Sequence, residues 1–345
     1  MNFIDISGVG NAGKSAVADL LKEVDNFYVP EYGFEFDFMR VSGGLLDFRH
    51  CLLEDWSPVR SHAAYHEFID VINKMGLDPA PWDIVGLINS SSQRYDGKFK
   101  GQFRPLSTEF ANHFIKGSFK AEWPYDGLRE HGFTRLAKRI FRRLGFKERM
   151  LNDVFLIDGH DFDEKARCYI ESLYRSFVPP TCDHIVFNNA FEPFNPAPGL
   201  DMLNARQIIV TRDPRDVFVS GLNHYNISDA DRPLMASDNN GLRKSFLATD
   251  NIDTFILRYR LYNEQLYAGP RKDVLHVRFE DLILHPEAHI KLILEFLGVN
   301  QASHTRPNSC FIPADSAKNI GIWRKYTKQD EIRYIESKLS KYIAG

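Results

Sequence analysis

An α/β fold, a parallel sheet flanked by helices with a phosphate-binding loop after its first strand and a helical insert, is predicted by three features of the chain. It opens strand, glycine-rich loop, helix. Further short apolar runs rich in branched residues recur between helical stretches. At 345 residues with 43% hydrophobic and 26% charged side chains, it has the composition of a globular protein with a sizeable core.

Asn2 to Ser7 reads as a short buried strand. From Lys14 to Val24, Ala16, Val17, Leu20, Leu21 and Val24 repeat at helical spacing. A second strand is expected over Phe34 to Met39, where alternation puts the three Phe on one face and Glu35 with Asp37 on the other. Between Val41 and Met150, Pro58, Pro79, Pro81, Pro105 and Pro124 cut the pattern into short helical pieces such as His62 to Met75 and Phe110 to Lys116. Leu136, Ile140 and Leu144, with Arg135, Lys138, Arg139, Arg142 and Arg143 around them, spell a basic amphipathic helix, read as a solvated face or as an anion-facing wall. Val154 to Ile157, Ile185 to Phe187, Gln207 to Thr211 and Asp273 to Arg278 read as further core strands. The expectation is one domain over 1–345 in which 41–150 is an insert shaping the acceptor site.

The charge of −3 leaves no global field for nucleic acid or an anionic membrane, so any basic site is local. Cys51, Cys168, Cys182 and Cys310 lack metal-ligand spacing, which points to a reducing compartment. With no long apolar run and no basic, apolar leader, a cytoplasmic location is expected, without a membrane span. Oligomeric state is not legible.

Gly8-Val9-Gly10-Asn11-Ala12-Gly13-Lys14-Ser15 fits G-x-x-x-x-G-K-[ST] at every constrained position, between strand and helix. Glycines let successive N–H groups turn inward, the helix start adds positive potential, and Lys14 supplies a mobile cation. An anionic nucleotide is the natural ligand. A kinase would add an acid at a neighbouring strand end to hold Mg²⁺, and Asp158 after Val154–Ile157 has that form. Farther along, Gln207–Thr211 delivers Arg212 at a strand end. Pro214 suits the first turn of the helix that follows, and Ser220 stands eight residues beyond Arg212. Arg212 is suited to bidentate contact with a phosphate, or to a salt bridge with Asp213 or Asp216.

The Arg212–Ser220 stretch resembles the 3′-phosphate motif of sulfotransferases that use 3′-phosphoadenosine 5′-phosphosulfate (PAPS). Two more segments carry the resemblance. Val274 to Leu282 with Pro286 and Leu294 to Gly298 is similar to that family's Y-E-D-L, P and F-L-G run, and Lys318 to Tyr326 to its lysine, glycine, W-R segment. The resemblance implies that Gly10, Asn11, Ala12, Gly13, Lys14 and Ser15 hold the 5′-phosphosulfate and that Arg212 and Ser220 hold the 3′-phosphate. Lys318 and Arg324 would close over the same end, and no metal is needed. It implies sulfuryl transfer by in-line displacement to a hydroxyl or amine of a small-molecule or carbohydrate acceptor. Many members carry K-S-G-T-T or R-S-G-T-T where this chain has G-N-A-G-K-S, which keeps a Mg-ATP kinase, or a nucleotide-binding module without transfer activity, in view.

The acceptor must lose a proton, so a base is required within reach of it. Carbohydrate-acting members place a Glu on the strand after the first helix, which points to Glu35, or to Glu31 or Asp37 nearby. Phenol-acting members use a His before the 3′-phosphate strand, where this chain has Asn188-Asn189. His160 is a third candidate. The 27 Phe and 14 Tyr are read mainly as core.

Overall fold

In the computed structural model, residues 1–31, 34–80, 82–83, 85–86, 91, 93–121, 123, 125, 140, 151–224, 246–247, 249 and 251–343 are described. They fall into two compact units, one of residues 1–37 and 179–345, the other of 38–178.

The first unit is built on five parallel strands in the order β2-β5-β1-β6-β7. These are β1 (Asn2–Ser7), β2 (Phe27–Tyr28), β5 (His184–Asn188), β6 (Arg206–Thr211) and β7 (Val274–Arg278). The expected strand ends agree with the observed ones to within a residue or two for all of these but β2. The centre of the sheet is buried on both faces, as a continuous apolar run requires. Ile4 and Ile6 meet Val186, Ile208, Val210 and the apolar side of α1 (Lys14–Lys22) on one face. On the other, Phe3 stacks on Phe187 at 5.5 Å and Phe187 packs edge-on against Phe191.

Asp5, Ser7 and Gln207 are wholly buried on that second face. Gln207 Nε2 donates to Asp5 Oδ2 and to Ser7 Oγ, each at 3.0 Å, Ser7 Oγ also donates to Asp5, and the Ala190 N–H donates to Asp5 Oδ1 at 2.8 Å. Burial pushes the Asp5 carboxyl above its ordinary value, against the pull of these hydrogen bonds. The network ties the carboxyl end of β1 to the loop after β5.

Phe34–Met39 is not a strand. The Phe34 N–H turns back to the Glu31 carbonyl, and Asp37–Met39 winds into a 3₁₀ turn. The alternation has another cause. Phe36 packs on Phe187 in the first unit, whereas Phe38 packs on Phe68 and Phe103 in the second, so the repeat marks two anchors on either side of a unit boundary.

The second unit contains α2 (Leu45–Leu53), α3 (Pro58–Gly76), α4 (Tyr95–Lys98), α5 (Phe103–His113), the antiparallel pair β3 (Ile115–Ala121) and β4 (Asn152–Ile157), and α6 (Phe162–Arg175). Pro58 opens α3 behind a Ser57 cap that accepts the Arg60 N–H at 3.1 Å. Phe48, Phe68, Phe110, Phe114 and Phe162 form one aromatic core, with Phe48–Phe68 and Phe114–Phe162 stacked and the other contacts edge-to-face. The expected core strand Val154–Ile157 is β4, paired with β3 rather than placed in the parallel sheet. The expected basic helix around 135–144 lies outside the described residues, apart from Ile140.

Helices α7 (Ala197–Leu203), α8 (Pro214–His224), α9 (Ile252–Gln265), α10 (Phe279–Leu284), α11 (Pro286–Leu297), α12 (Pro313–Ala317) and α13 (Gln329–Leu339) complete the first unit. No helix of the described residues is long and apolar enough to cross a membrane.

A buried pair pins the 304–311 segment to the end of α1. Glu23 accepts from His304 Nε2 at 2.7 Å and from the N–H groups of Cys310 and Phe311 at 2.8 and 2.7 Å. Burial raises the Glu23 pKa, but His304 and the two N–H groups outweigh it and leave the carboxyl below its ordinary value. A folded pKa below the unfolded one contributes stability above the unfolded value of about 4.3 and loses it as pH falls through the folded value. Glu23→Ala is therefore expected to lower unfolding free energy by about 3 kcal/mol at pH 7, because it strands the buried Phe311 N–H and two partly buried donors. Its deficit should shrink below about pH 4 in urea titrations across pH.

Candidate active site

The phosphate loop leaves the carboxyl end of β1, and its shape follows from its small residues. Gly13 caps α1 at φ +91°, and a Cβ there would fall 2.3 Å from the Phe279 ring. Glycine is the residue that fits. A Cβ on Gly8 would meet the Val210 carbonyl at 2.6 Å. Lys14 folds back over the loop, donating from Nζ to the carbonyls of Gly8 at 2.8 Å and Val9 at 3.2 Å. The first turn of α1 offers backbone N–H groups without intrahelical acceptors, beside this ammonium.

The loop forms part of the wall of a cleft of about 550 Å³. Its lining includes Gly10 to Ser15, Glu31, Glu35, Arg212 and Ser220, so the structure gathers the expected loop residues, the Arg–Ser pair and both carboxylates in one place.

Arg212 follows β6 directly and is 94% buried, its residual exposure being 6%. Nη1 donates to the Asn11 carbonyl at 2.9 Å and Nη2 to the Asn319 carbonyl at 2.5 Å, while the guanidinium lies 4.8 Å from the centre of the Phe279 ring. Among the described residues its buried Nε has no acceptor and its charge makes no ion pair. Burial lowers the Arg212 pKa, opposed by the fields of Asp216, Glu280 and Asp213. The salt bridge to Asp213 or Asp216, open from sequence, is not formed. Arg215 takes Asp213 with two hydrogen bonds of 3.0 and 2.6 Å, and Asp216 accepts the N–H groups of Gly321 and Trp323 at 2.8 and 3.3 Å. Arg212 thus remains a buried cation facing the cleft.

Lys318 and Arg324 are not among the lining residues. Lys318 is exposed at the end of α12, 3.5 Å from Asp315, and Arg324 is exposed with its guanidinium on the Trp323 ring at 5.1 Å. The turn after α12 instead places Asn319 in the lining, its carbonyl on Arg212. Asp158 follows β4, outside the parallel sheet, so the strand-end geometry expected of a Mg²⁺-holding acid is missing. His160 belongs to the second unit, exposed and 3.2 Å from Asp161.

Among the polar lining residues, Asp19, Lys22, Asn188, Ser316, Asn319 and His224 were not legible as site residues. His224 stands one turn beyond Ser220 on α8, a spacing that could have found it. Asn189, next to the lining, donates from Nδ2 to Glu35 Oε1 at 3.1 Å and accepts the Gly8 N–H on Oδ1 at 3.2 Å.

A model of the sulfotransferase domain matches residues 197–319. The sulfotransferase resemblance holds over that stretch. It takes in Arg212, Ser220 and Asn319 but stops short of the phosphate loop on one side and of Arg324 on the other. Among solved structures, the sulfotransferase domain from the curacin biosynthetic pathway is 11% identical at a TM-score of 0.40, covering 100% of this chain and 99% of its own. The sulfotransferase domain of the Synechococcus PCC 7002 olefin synthase is 12% identical at 0.40, with 100% and 95% covered. Retinol dehydratase in complex with androsterone and the inactive cofactor PAP is 14% identical at 0.35, with 99% and 80% covered. No curated protein sequence matches the chain.

Proposed function

We propose that the chain is a PAPS-dependent sulfotransferase acting on a hydroxyl or amine of a small-molecule or carbohydrate acceptor. The observation that carries this reading is Arg212, a buried guanidinium without an ion-pair partner among the described residues, on the wall of a cleft that also holds a phosphate loop. Two separate anion-seeking features in one cleft suit a nucleotide charged at both its 3′ and 5′ positions.

In this reading Lys14 and the N–H groups of Gly10 to Ser15 hold the 5′-phosphosulfate, and Arg212 with Ser220 holds the 3′-phosphate. PAPS, when bound, supplies the sulfuryl group and departs as adenosine 3′,5′-bisphosphate. Glu35 accepts the proton of the attacking hydroxyl or amine while the acceptor–sulfur bond forms and the S–O bond to the departing nucleotide breaks. Lys14 meets the charge developing on that oxygen. Glu31, on the same wall, is the second carboxylate able to serve; His160, Lys318 and Arg324 have no part in it. The segment 41–150 is proposed to shape the acceptor site. A cytoplasmic location accords with four free thiols.

The test is incubation with PAPS and a mixed library of alcohols, amines and sugars, with mass spectrometry of the products. Gain of one SO₃ by an acceptor, with release of adenosine 3′,5′-bisphosphate, is expected. Phosphorylated products from Mg-ATP in the same library would establish the kinase reading instead. Nucleotide binding with no product from either donor would leave the module without transfer activity.

A further inference from the structure

We infer that Asn189 is a positioning residue: its side-chain amide locks Glu35 to the phosphate loop, so that the proton acceptor and the nucleotide-gripping backbone are set as one piece. The inference rests on the reading of Glu35 as base.

Asn189 is buried to more than nine-tenths and stands just past the carboxyl end of β5, at φ +52°. Asparagine is among the few non-glycine residues that adopt this left-handed conformation at low cost. All its polar groups on this side are engaged. The backbone N–H donates to the Ile6 carbonyl at 3.1 Å, Oδ1 accepts the Gly8 N–H at 3.2 Å, and Nδ2 donates to Glu35 Oε1 at 3.1 Å. The amide has one workable orientation, because Gly8 N–H only donates and a carboxylate oxygen accepts. Aspartate, of the same size, would present oxygen to oxygen.

The bridge stands on a fixed base. The next N–H along, that of Ala190, is held by Asp5, which Gln207 and Ser7 hold in turn. Glu35 lies in a segment without regular secondary structure, and a long side chain there has rotamer freedom to lose. A donor anchored to the sheet restricts that freedom. A base set this way serves catalysis through geometry and contributes little to nucleotide affinity.

The experiment is a double-mutant cycle on the full chain. Asn189→Gly keeps the left-handed backbone and deletes the bridge. Asn189→Asp keeps the Gly8 acceptor and loses the donor. Transfer from ³⁵S-labelled PAPS is followed to ethanolamine, which offers both a hydroxyl and an amine, with release of inorganic sulfate to water read in the same samples. Each Asn189 variant is expected to lower kcat by about 30-fold, the scale of a hydrogen bond to a charged group. In Asn189→Asp, which keeps the Gly8 acceptor, the Kd for adenosine 3′,5′-bisphosphate should stay within about threefold, since the lost contact is neither to nucleotide nor to the loop. In a Glu35→Gln background the same changes should cost less than about twofold more, because a residue acting through Glu35 has nothing left to position.

A second readout does not depend on turnover. The side-chain amide pair of Asn189 in ¹H–¹⁵N spectra, identified by its loss in Asn189→Gly, should move on Glu35→Gln. Unchanged kcat in the Asn189 variants while Glu35→Gln lowers kcat, multiplicative losses in the cycle, or an unmoved amide pair would each overturn the inference and leave Glu35 as base. Wild-type transfer by Glu35→Gln would remove the base itself.

Discussion

Lys14→Ala is expected to lower kcat by about 100- to 1,000-fold, the range measured when one preorganised donor to a developing anion is deleted. The structure gives the reason for the size. Lys14 is held over the loop by the Gly8 and Val9 carbonyls, at the entrance to α1, beside the place proposed for the 5′-phosphosulfate. The bridging oxygen between the departing phosphate and sulfur gains charge only as the bond breaks, so the interaction strengthens in the transition state. The 5′-phosphate also has the backbone N–H groups of the loop, and affinity for adenosine 3′,5′-bisphosphate should fall by less than about 10-fold. Single-turnover rates against bisphosphate Kd values in the same variant check this split. Equal losses in both would make Lys14 a uniform binding group.

Arg212→Ala carries the opposite signature. It is expected to raise the Kd for adenosine 3′,5′-bisphosphate by about 100-fold or more while leaving kcat within about threefold, because the charge it meets does not change during transfer. Arg212→Lys should not rescue it. A lysine offers one compact ammonium where the guanidinium reaches Asn11, Asn319 and the cleft at once. Removing a buried cation that lacks an ion pair relieves desolvation, while two carbonyls lose their donors. The stability of the unliganded variant should stay within about 1 kcal/mol of wild type. Titration calorimetry with the bisphosphate and with 5′-AMP reads the effect directly, and in Arg212→Ala the preference between the two should collapse.

That the phosphate loop, Arg212 and Ser220 would meet was legible because the signals are local. A strand, a glycine loop at fixed spacing and a helix start need only neighbouring residues, and Gly13 against Phe279 shows why the glycine is required. Arg212 and Ser220 were legible for the same reason. The misreadings came where distant packing decides. The Phe34–Met39 alternation has the period of a strand, yet Phe36 and Phe38 serve two different cores. Val154–Ile157 has the composition of a core strand, and its partner, β3, carries no comparable apolar signal with Lys116, Ser118 and Lys120 in it. Lys318, expected to reach the nucleotide, stands beside Asp315, while the Asn319 carbonyl meets Arg212. Asn189 was invisible as a site residue, since its role depends on Gly8 and Glu35 meeting it from two other segments.

The central claim is that this cleft holds a nucleotide phosphorylated at both the 3′ and the 5′ position, without the help of a metal. Calorimetric titration of the full chain in EDTA with adenosine 3′,5′-bisphosphate and 5′-AMP, and in Mg²⁺ with ATP, tests it most directly. The account predicts that the bisphosphate binds at least about 100-fold more tightly than 5′-AMP in EDTA, the difference being the charge-assisted contact to Arg212. Tight binding of Mg-ATP alone, with no preference between bisphosphate and 5′-AMP, would contradict it.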